Sequence, residues 1–322
     1  MNSPLIQCEN LRVTFSLPTG DADAVRGVSF SLNETETLGI VGESGCGKTM
    51  TALSLLRLIP QPPARISEGR ILFKETDLLG CSEKEIRMIR GGSISMIFQD
   101  PMTSLNPLFT CRDQIRETIL LHTSSSPAQA DHAIESMLGE VGISDPARTA
   151  DSYPHQLSGG MRQRVMIAMA LVCHPRLLIA DEPTTALDVT VQAKILDLLH
   201  TLQEEKRMSM LLITHNLGIV GDIADSVLVM YAGEIMEYAA CSTLFASPKH
   251  PYTCNLLETL PSIDSRKDRL TVIPGEVPTL GNFPTGCPFH PRCNRAMERC
   301  KNEHPQLYHV SPGHDVRCFL YG

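Results

Sequence analysis

The run Gly42-Glu43-Ser44-Gly45-Cys46-Gly47-Lys48-Thr49 matches the pattern G-x-x-x-x-G-K-[ST] and directly follows the apolar residues 38–41. In this pattern the glycines let backbone N–H groups wrap around phosphates, the lysine reaches the β- and γ-phosphates, and the threonine hydroxyl binds Mg²⁺. The residues after the loop, 50–59, have the pattern of an amphipathic helix that Pro60 ends. Strand, loop and helix in this order predict an α/β protein that binds a nucleoside triphosphate.

A second glycine loop, Leu157-Ser158-Gly159-Gly160-Met161, lies far downstream. One nucleotide needs only one phosphate loop, so the second loop is expected to contact the nucleotide of another subunit. Shortly after it, the apolar residues 177–180 lead into Asp181 and Glu182. A buried strand that ends in two carboxylates suits ATP hydrolysis, with Asp181 holding Mg²⁺ through water and Glu182 polarising the attacking water. The pattern predicts a dimeric ATPase.

Composition and charge exclude several classes of protein. The 322 residues carry a net charge of −8 and no dense run of Lys or Arg, which argues against a nucleic-acid partner. No stretch approaches the roughly 20 consecutive apolar residues of a spanning helix, and the N-terminus lacks a signal-peptide pattern. We therefore expect the chain to stay in the cytosol, where its 11 cysteines are mostly reduced.

The chain divides by pattern into a large domain and a small extension. Residues 6–41 show short alternating runs of an antiparallel β-subdomain, residues 104–165 are mostly helical, and a β-α-β rhythm follows up to a hairpin over residues 227–238. Beyond Ser247 prolines interrupt every long element. We predict an ATPase domain over residues 1–247, with an inserted helical subdomain, and a Pro- and Cys-rich extension over residues 248–322.

Further residues place the chain in a known family. Gln99 follows a predicted strand, Ala186-Leu187-Asp188 follows the carboxylates, and His215 follows another strand. Together with the two glycine loops, in this order, they resemble the ATP-binding subunit of an ABC transporter. The resemblance covers essentially the whole chain and implies the P-loop ATPase fold of that family.

The resemblance implies a role for each residue. Lys48, Gln99, Glu182 and His215 would be catalytic, with Gln99 sensing Mg²⁺ and the γ-phosphate and His215 steadying the transition-state charge. Thr49, Gln99 and Asp181 would hold Mg²⁺. The loop from Gly42 to Thr49 would bind ATP, and Ser158, Gly159, Gly160 and Asp188 would contact the ATP of the opposite subunit. Phe15 would stack on adenine, although strands also bury aromatic residues for packing. The family usually has Gln where this chain has Met161.

The closest subgroup resemblance is to dipeptide and oligopeptide importers. It rests on residues 98–107, 153–161, 250–253 and 286–288, and nickel importers share part of the pattern. It implies two transmembrane permeases, a second ATPase subunit that is a paralogue, an extracytoplasmic binding protein, and a place at the cytoplasmic face of the membrane. A soluble ABC-type ATPase acting on nucleic acid or ribosomes is the alternative class, but the chain has neither inserted coiled coils nor a second ATPase half.

One cysteine cluster and one single cysteine each have alternative interpretations. Cys287, Cys293, Cys300 and Cys318 could hold a [4Fe–4S] cluster or zinc, or could be free thiols. The spacing lacks the paired C-x-x-C of most zinc ribbons, and the resemblance to peptide-importer ATPases favours iron. Cys46, inside the phosphate loop, is either a small space-filling residue or a thiol activated by the helix terminus.

Overall fold

A computed structural model describes residues 3–100, 104–185, 187–260 and 273–322. Residues 101–103 of the importer-like segment and Ala186 lie outside these described residues. The chain forms two compact units. The first contains residues 1–33, 37–79 and 212–322, and the second contains residues 34–36 and 80–211.

The described residues form strands and helices with the following bounds. The strands, in chain order, are β1 (Ile6–Leu17), β2 (Gly20–Leu32), β3 (Thr37–Val41), β4 (Ala64–Phe73), β5 (Thr76–Asp77), β6 (Ile94–Ile97), β7 (Leu177–Asp181), β8 (Ser209–Thr214), β9 (Ser226–Tyr231), β10 (Glu234–Ala240), β11 (Tyr308–Ser311) and β12 (His314–Val316). The helices are α1 (Lys48–Leu55), α2 (Glu83–Ile89), α3 (Cys111–His122), α4 (Pro127–Glu140), α5 (Pro146–Ala150), α6 (Gly159–Leu171), α7 (Val189–Lys206), α8 (Leu217–Ile223), α9 (Cys241–Ala246), α10 (Pro251–Glu258) and α11 (Glu298–Asn302).

The first unit begins with the antiparallel sheet that the sequence predicts. Its strand order is β2-β1-β4-β5, and β1 pairs with both β2 and β4. Buried residues such as Leu11 and Val13 alternate with more exposed neighbours along β1, which is the pattern of a strand with one covered face.

A second group of strands in this unit carries the phosphate loop. β3 pairs in parallel with β9, which forms an antiparallel hairpin with β10. Every residue of β3 is buried, as expected for a parallel strand covered on both faces. The C-terminal strands β11 and β12 form a further hairpin, and β12 pairs with β10. The extension therefore adds strands to this group, and the boundary predicted at residue 247 does not coincide with a division between compact units.

The second unit contains the helical segment. α3 packs against α4, and α4 packs against α5 and α6. Thr110, Ser126 and Asp145 cap the N-termini of α3, α4 and α5 through their side chains, which satisfies backbone N–H groups that a helix leaves unpaired. β6 and β7 of this unit pair in parallel.

One helix boundary differs from prediction. α1 ends at Leu55, and Arg57 adopts a positive φ of 52° before Pro60 is reached. α6 begins at Gly159, inside the second glycine loop, because the Ser158 side chain accepts a hydrogen bond from the Met161 N–H and caps the helix. In the part of the chain that the structure describes, no helix combines the length and apolarity required to cross a membrane.

Candidate functional site

The phosphate loop of the first unit has a backbone that requires glycine. Gly42 and Gly47 have φ values of 155° and 100°. A Cβ atom on Gly42 would lie 2.3 Å from the Met230 carbonyl oxygen, and one on Gly47 would lie 2.7 Å from that of Ala24. Larger residues would therefore both strain the backbone and collide with it. Ser44 and Gly45 at the tip are exposed, so the loop is open where phosphates would approach.

Lys48 begins α1 and folds back into this loop. Its side chain is buried, and Nζ donates to the carbonyl oxygens of Gly42 at 2.7 Å and Glu43 at 3.1 Å. Cys46 is also buried, and burial raises the pKa of its thiol even though Lys48 opposes the shift. A raised pKa keeps the thiol neutral. The structure thus favours Cys46 as a space-filling residue over an activated thiol.

Glu43 connects the loop to residues that the sequence did not single out. Its backbone N–H donates to the Tyr252 hydroxyl at 3.0 Å, and its carboxylate receives two hydrogen bonds from Arg292, at 2.7 and 3.0 Å. Both partners are far along the chain, and no local motif signals the contact. Glu43 was predicted only as part of the ATP-binding run. In the structure it contacts the C-terminal segment, which is the extension over residues 248–322.

The predicted hydrolytic residues of the second unit lie at the end of β7. Asp181 is 2% exposed. Glu182, the next residue, has a φ of 45°, a conformation that non-glycine residues adopt only at a cost. Its Oε2 atom accepts hydrogen bonds from Gln99 Nε2 at 3.1 Å and from Thr185 Oγ1 at 2.9 Å. The structure therefore brings Gln99 to Glu182 and holds this carboxylate in one orientation.

The second glycine loop lies at the N-terminus of α6. Ser158 and Gly159 are exposed, and a Cβ atom on Gly160 would lie 3.3 Å from Val191 on α7. Asp188 caps α7 by accepting from the Val191 N–H at 3.0 Å. The loop and the Asp188 cap thus lie side by side. The N-terminus of α6 favours an anion there, whereas that of α7 already has the Asp188 carboxylate.

The loop tolerates the unusual Met161 for a simple reason. Its backbone N–H, not its side chain, donates to Ser158 Oγ at 3.3 Å. Any residue except proline supplies that donor. The Ser158 cap is therefore independent of the side chain at position 161.

Phe15 and His215 belong to the first unit. Phe15 is half-buried on β1, opposite Ala22 and Ala64. His215 is exposed and directly follows β8. Neither position decides the predicted contact, so adenine stacking by Phe15 and charge stabilisation by His215 stay predictions.

The four C-terminal cysteines are not arranged as metal ligands. Among the residues that the structure describes, no group of three or more His, Cys, Asp or Glu side chains could hold a metal ion. The cysteines do share an environment, because burial and the charges of Cys300, Cys318 and Cys293 raise the pKa of Cys287 to about 12. Backbone N–H groups of Arg295 and Met297 donate to the sulfurs of Cys293 and Cys300, each at 3.4 Å.

Comparisons with known proteins identify the family. Residues 25–185 match the family model described as ABC transporter, and residues 236–300 match the one described as the C-terminal region of oligopeptide/dipeptide transporters. A dipeptide transport ATP-binding protein, DppD, of Bacillus subtilis is 50% identical over 98% of this chain and 94% of its own length. This chain belongs to the ABC transporter ATP-binding proteins. The oligopeptide transport ATP-binding protein OppD of Salmonella typhimurium is 49% identical over 98% of this chain and 93% of its own length.

Solved structures agree with this family and its fold. A dimeric ATP-binding cassette in a post-hydrolysis state, bound to ADP and phosphate, superposes with a TM-score of 0.66 and 26% identity. The match covers 73% of this chain and 98% of the cassette. The predicted P-loop α/β core is confirmed. Because this chain belongs to the ABC transporter ATP-binding proteins, it is an ATPase that uses ATP and Mg²⁺.

Proposed function

We propose that this ABC transporter ATP-binding protein powers the import of dipeptides or oligopeptides. The observation that carries the proposal is the likeness, near half identity over almost the whole chain, to DppD and OppD. The match of residues 236–300 to the oligopeptide/dipeptide transporter C-terminal region supports the same subgroup. The protein would act at the cytoplasmic face of the membrane, with two permeases and an extracytoplasmic binding protein.

The geometry of each unit supports a specific role for each of its site residues in ATP binding and hydrolysis. The loop from Gly42 to Thr49 would bind the phosphates, with Lys48 at the β- and γ-phosphates, while Thr49, Gln99 and Asp181 would hold Mg²⁺. Glu182 would orient and polarise the attacking water, because Gln99 and Thr185 fix its carboxylate. His215 would stabilise the charge that develops on the γ-phosphate, and Phe15 would stack on adenine.

The second glycine loop would complete the ATP site of a partner ATPase, which we propose to be a paralogue. The exposure of Ser158 and Gly159, together with the N-terminus of α6 that Ser158 caps, supports binding of a phosphate brought by another molecule. Val189, next to Asp188, is 81% exposed, and a partner subunit bound at this loop would cover its apolar side chain.

Docking to a permease is proposed for the loop before α3. Leu108 and Phe109 are 79% and 53% exposed. The Gln114 carboxamide accepts from the Asn106 N–H at 2.8 Å and donates to the carbonyl oxygens of Asn106 and Phe109, both at 3.1 Å. The two apolar side chains therefore project from a loop held rigid by one side chain, as suits a docking surface.

The first experiment isolates the tagged chain from detergent-solubilised membranes and identifies its companions by mass spectrometry. We expect two permeases and a second ATPase, and we expect the double variant Leu108→Asp/Phe109→Asp to lose the permeases while it still binds ATP. Met88→Asp on α2, a position 54% exposed, is the matched control.

ATPase activity of the reconstituted complex should rise with peptide-loaded binding protein. If nickel without peptide stimulated the ATPase activity, the cargo would be nickel rather than peptide. If the tagged chain co-purified with ribosomes instead of permeases, the transporter role would be refuted.

We further propose that Cys287, Cys293, Cys300 and Cys318 take up a [4Fe–4S] cluster, with zinc as the alternative. Thiolates that accept backbone hydrogen bonds are suitable ligands. Burial raises the pKa of the Cys287 and Cys318 thiols, and hydrogen bonds from the backbones of Phe289 and Leu320 partly oppose this rise. The backbone N–H groups of Arg295 and Met297 donate to the other two sulfurs.

Metal analysis of anaerobically purified protein tests this ligand set. We expect bound iron and visible absorption. Both should be lost in Cys293→Ser and retained in Cys173→Ser, because Cys173 lies in the second unit. Colourless protein with stoichiometric zinc would establish the zinc alternative. Protein without either metal would refute the site.

A further inference from the structure

The guanidinium of Arg292 forms a buried link between the C-terminal segment and the phosphate loop. Arg292 ends the short 3₁₀ turn His290–Arg292, and its side chain is 4% exposed. Nη1 donates to Glu43 Oε2 at 2.7 Å and Nη2 donates to Glu43 Oε1 at 3.0 Å. This paired geometry is the strong form of a carboxylate–arginine contact.

The remaining donors of the same guanidinium are also used. Nε donates to the Pro274 carbonyl at 2.9 Å, Nη2 also reaches the Ile273 carbonyl at 3.4 Å, and Nη1 also reaches the Tyr231 hydroxyl at 3.3 Å. All N–H groups of the guanidinium therefore have acceptors. A lysine ammonium at this position could not reproduce the planar, forked set of contacts.

An aromatic cluster fixes the other side of the contact. Tyr231, Tyr252 and Phe289 are fully buried, and their ring centroids lie 4.8 to 5.3 Å apart. The Tyr252 hydroxyl accepts the Glu43 N–H at 3.0 Å. Residues outside the phosphate loop therefore hold both the backbone and the side chain of Glu43, and the buried aromatic cluster supports these residues.

The charges explain why such a link matters at this loop. Glu43 adds a carboxylate to a loop whose proposed ligand is a polyanion. A carboxylate without a partner would repel the phosphates, and the interaction would be strong because the surroundings are only partly hydrated. Arg292 neutralises this carboxylate and at the same time fixes the residue that follows Gly42.

We propose that Arg292 is a positioning residue for nucleotide binding, which acts through Glu43 and is assisted by Tyr252. The C-terminal segment thereby sets the affinity of the phosphate loop for ATP. This inference rests on the proposed function, in which the loop at residues 42–49 binds ATP. Arg292 itself is assigned no contact with nucleotide.

The test is a mutant cycle on the purified full-length chain with a fluorescent ATP analogue. We expect Arg292→Met to weaken binding by about tenfold or more, because it leaves the half-buried Glu43 carboxylate without its partner beside the phosphate loop. Arg292→Lys should lose part of the affinity. Adding Glu43→Gln to Arg292→Met should recover most of the loss, because it removes the unpaired carboxylate. In the assembled transporter, KM for ATP should change more than kcat.

Arg299→Met is the matched control, because Arg299 pairs with Glu303 in the same segment and both side chains are about half exposed. It should leave affinity unchanged. Tyr252→Phe keeps the ring, removes the acceptor for the Glu43 N–H, and should weaken binding several-fold. This second variant tests the proposal even where Arg292→Met fails to fold, which thermal melting detects.

Three outcomes separate the possible failures. Normal ATP affinity in a folded Arg292→Met protein, or in Tyr252→Phe when Arg292→Met does not fold, would overturn the inference. Equal weakness of Arg292→Met and of the double variant would also overturn it, because the effect would then not pass through the Glu43 charge. Normal affinity in Lys48→Ala would instead refute the proposed ATP site itself.

Discussion

Glu182→Gln should leave ATP binding intact and slow hydrolysis by roughly 10² to 10⁴, the usual weight of a positioned general base. Glutamine has nearly the same shape as glutamate but cannot take a proton from water. The contacts of Oε2 with Gln99 and Thr185 can be kept by the amide oxygen. The loss should therefore be confined to the chemical step.

Equilibrium binding of an ATP analogue and the rate of phosphate release measure the two effects separately. Glu205→Gln on α7, an exposed carboxylate of the same unit, is the control and should hydrolyse ATP at the wild-type rate. Turnover of Glu182→Gln within a factor of a few of wild type would show that another group is the base. Lost ATP binding would show that Glu182 has a structural role at its strained φ of 45°.

Ser158→Arg should abolish hydrolysis at the partner's ATP site rather than at the site of the subunit that carries the change. The arginine side chain would occupy the space proposed for the γ-phosphate and keep the loop from closing on it. Ser158 is exposed at the N-terminus of α6, so the larger side chain need not disturb a core. Mixed dimers with the substitution in one subunit, combined with an inactive phosphate loop in one or the other, locate the lost activity.

The substitution also removes a helix cap, so the cap needs its own control. Ser158→Ala removes the hydrogen bond from the Met161 N–H and should lower the free energy of unfolding by about 1 kcal/mol. If Ser158→Ala lost hydrolysis as completely as Ser158→Arg, loss of the Ser158 hydroxyl, through its cap or its phosphate contact, would be responsible rather than the clash. Loss of activity at the variant subunit's own site would refute the proposed contact with the partner's nucleotide.

Local sequence patterns predicted much of the fold correctly. β1 and β2 form the antiparallel pair expected within residues 6–41, residues 104–165 are mostly helical, and the hairpin predicted over residues 227–238 is formed by β9 and β10. These elements depend on residues close together in the chain, namely caps, turns and hydrophobic periodicity. The phosphate loop is of the same kind, since its glycines, Lys48 and the following helix are contiguous.

Contacts between distant segments were not predictable in this way. The hydrogen bond between Gln99 and Glu182 joins two neighbouring parallel strands, and only the family resemblance had suggested that both residues belong to one site. The addition of β12 to β10 had no sequence signal, because short strands in a Pro-rich segment show little periodicity.

By itself, the sequence predicted the chemistry of this protein: a phosphate loop, a strand that ends in two carboxylates, and a second glycine loop that we propose to contact a partner's nucleotide. Each is a short contiguous motif whose function depends on residue type and spacing. Only the tertiary structure showed that Glu43 of the phosphate loop also contacts the C-terminal segment. Arg292 is separated from Glu43 by most of the chain, and their charges meet where the rings of Tyr252 and Phe289 pack against Tyr231.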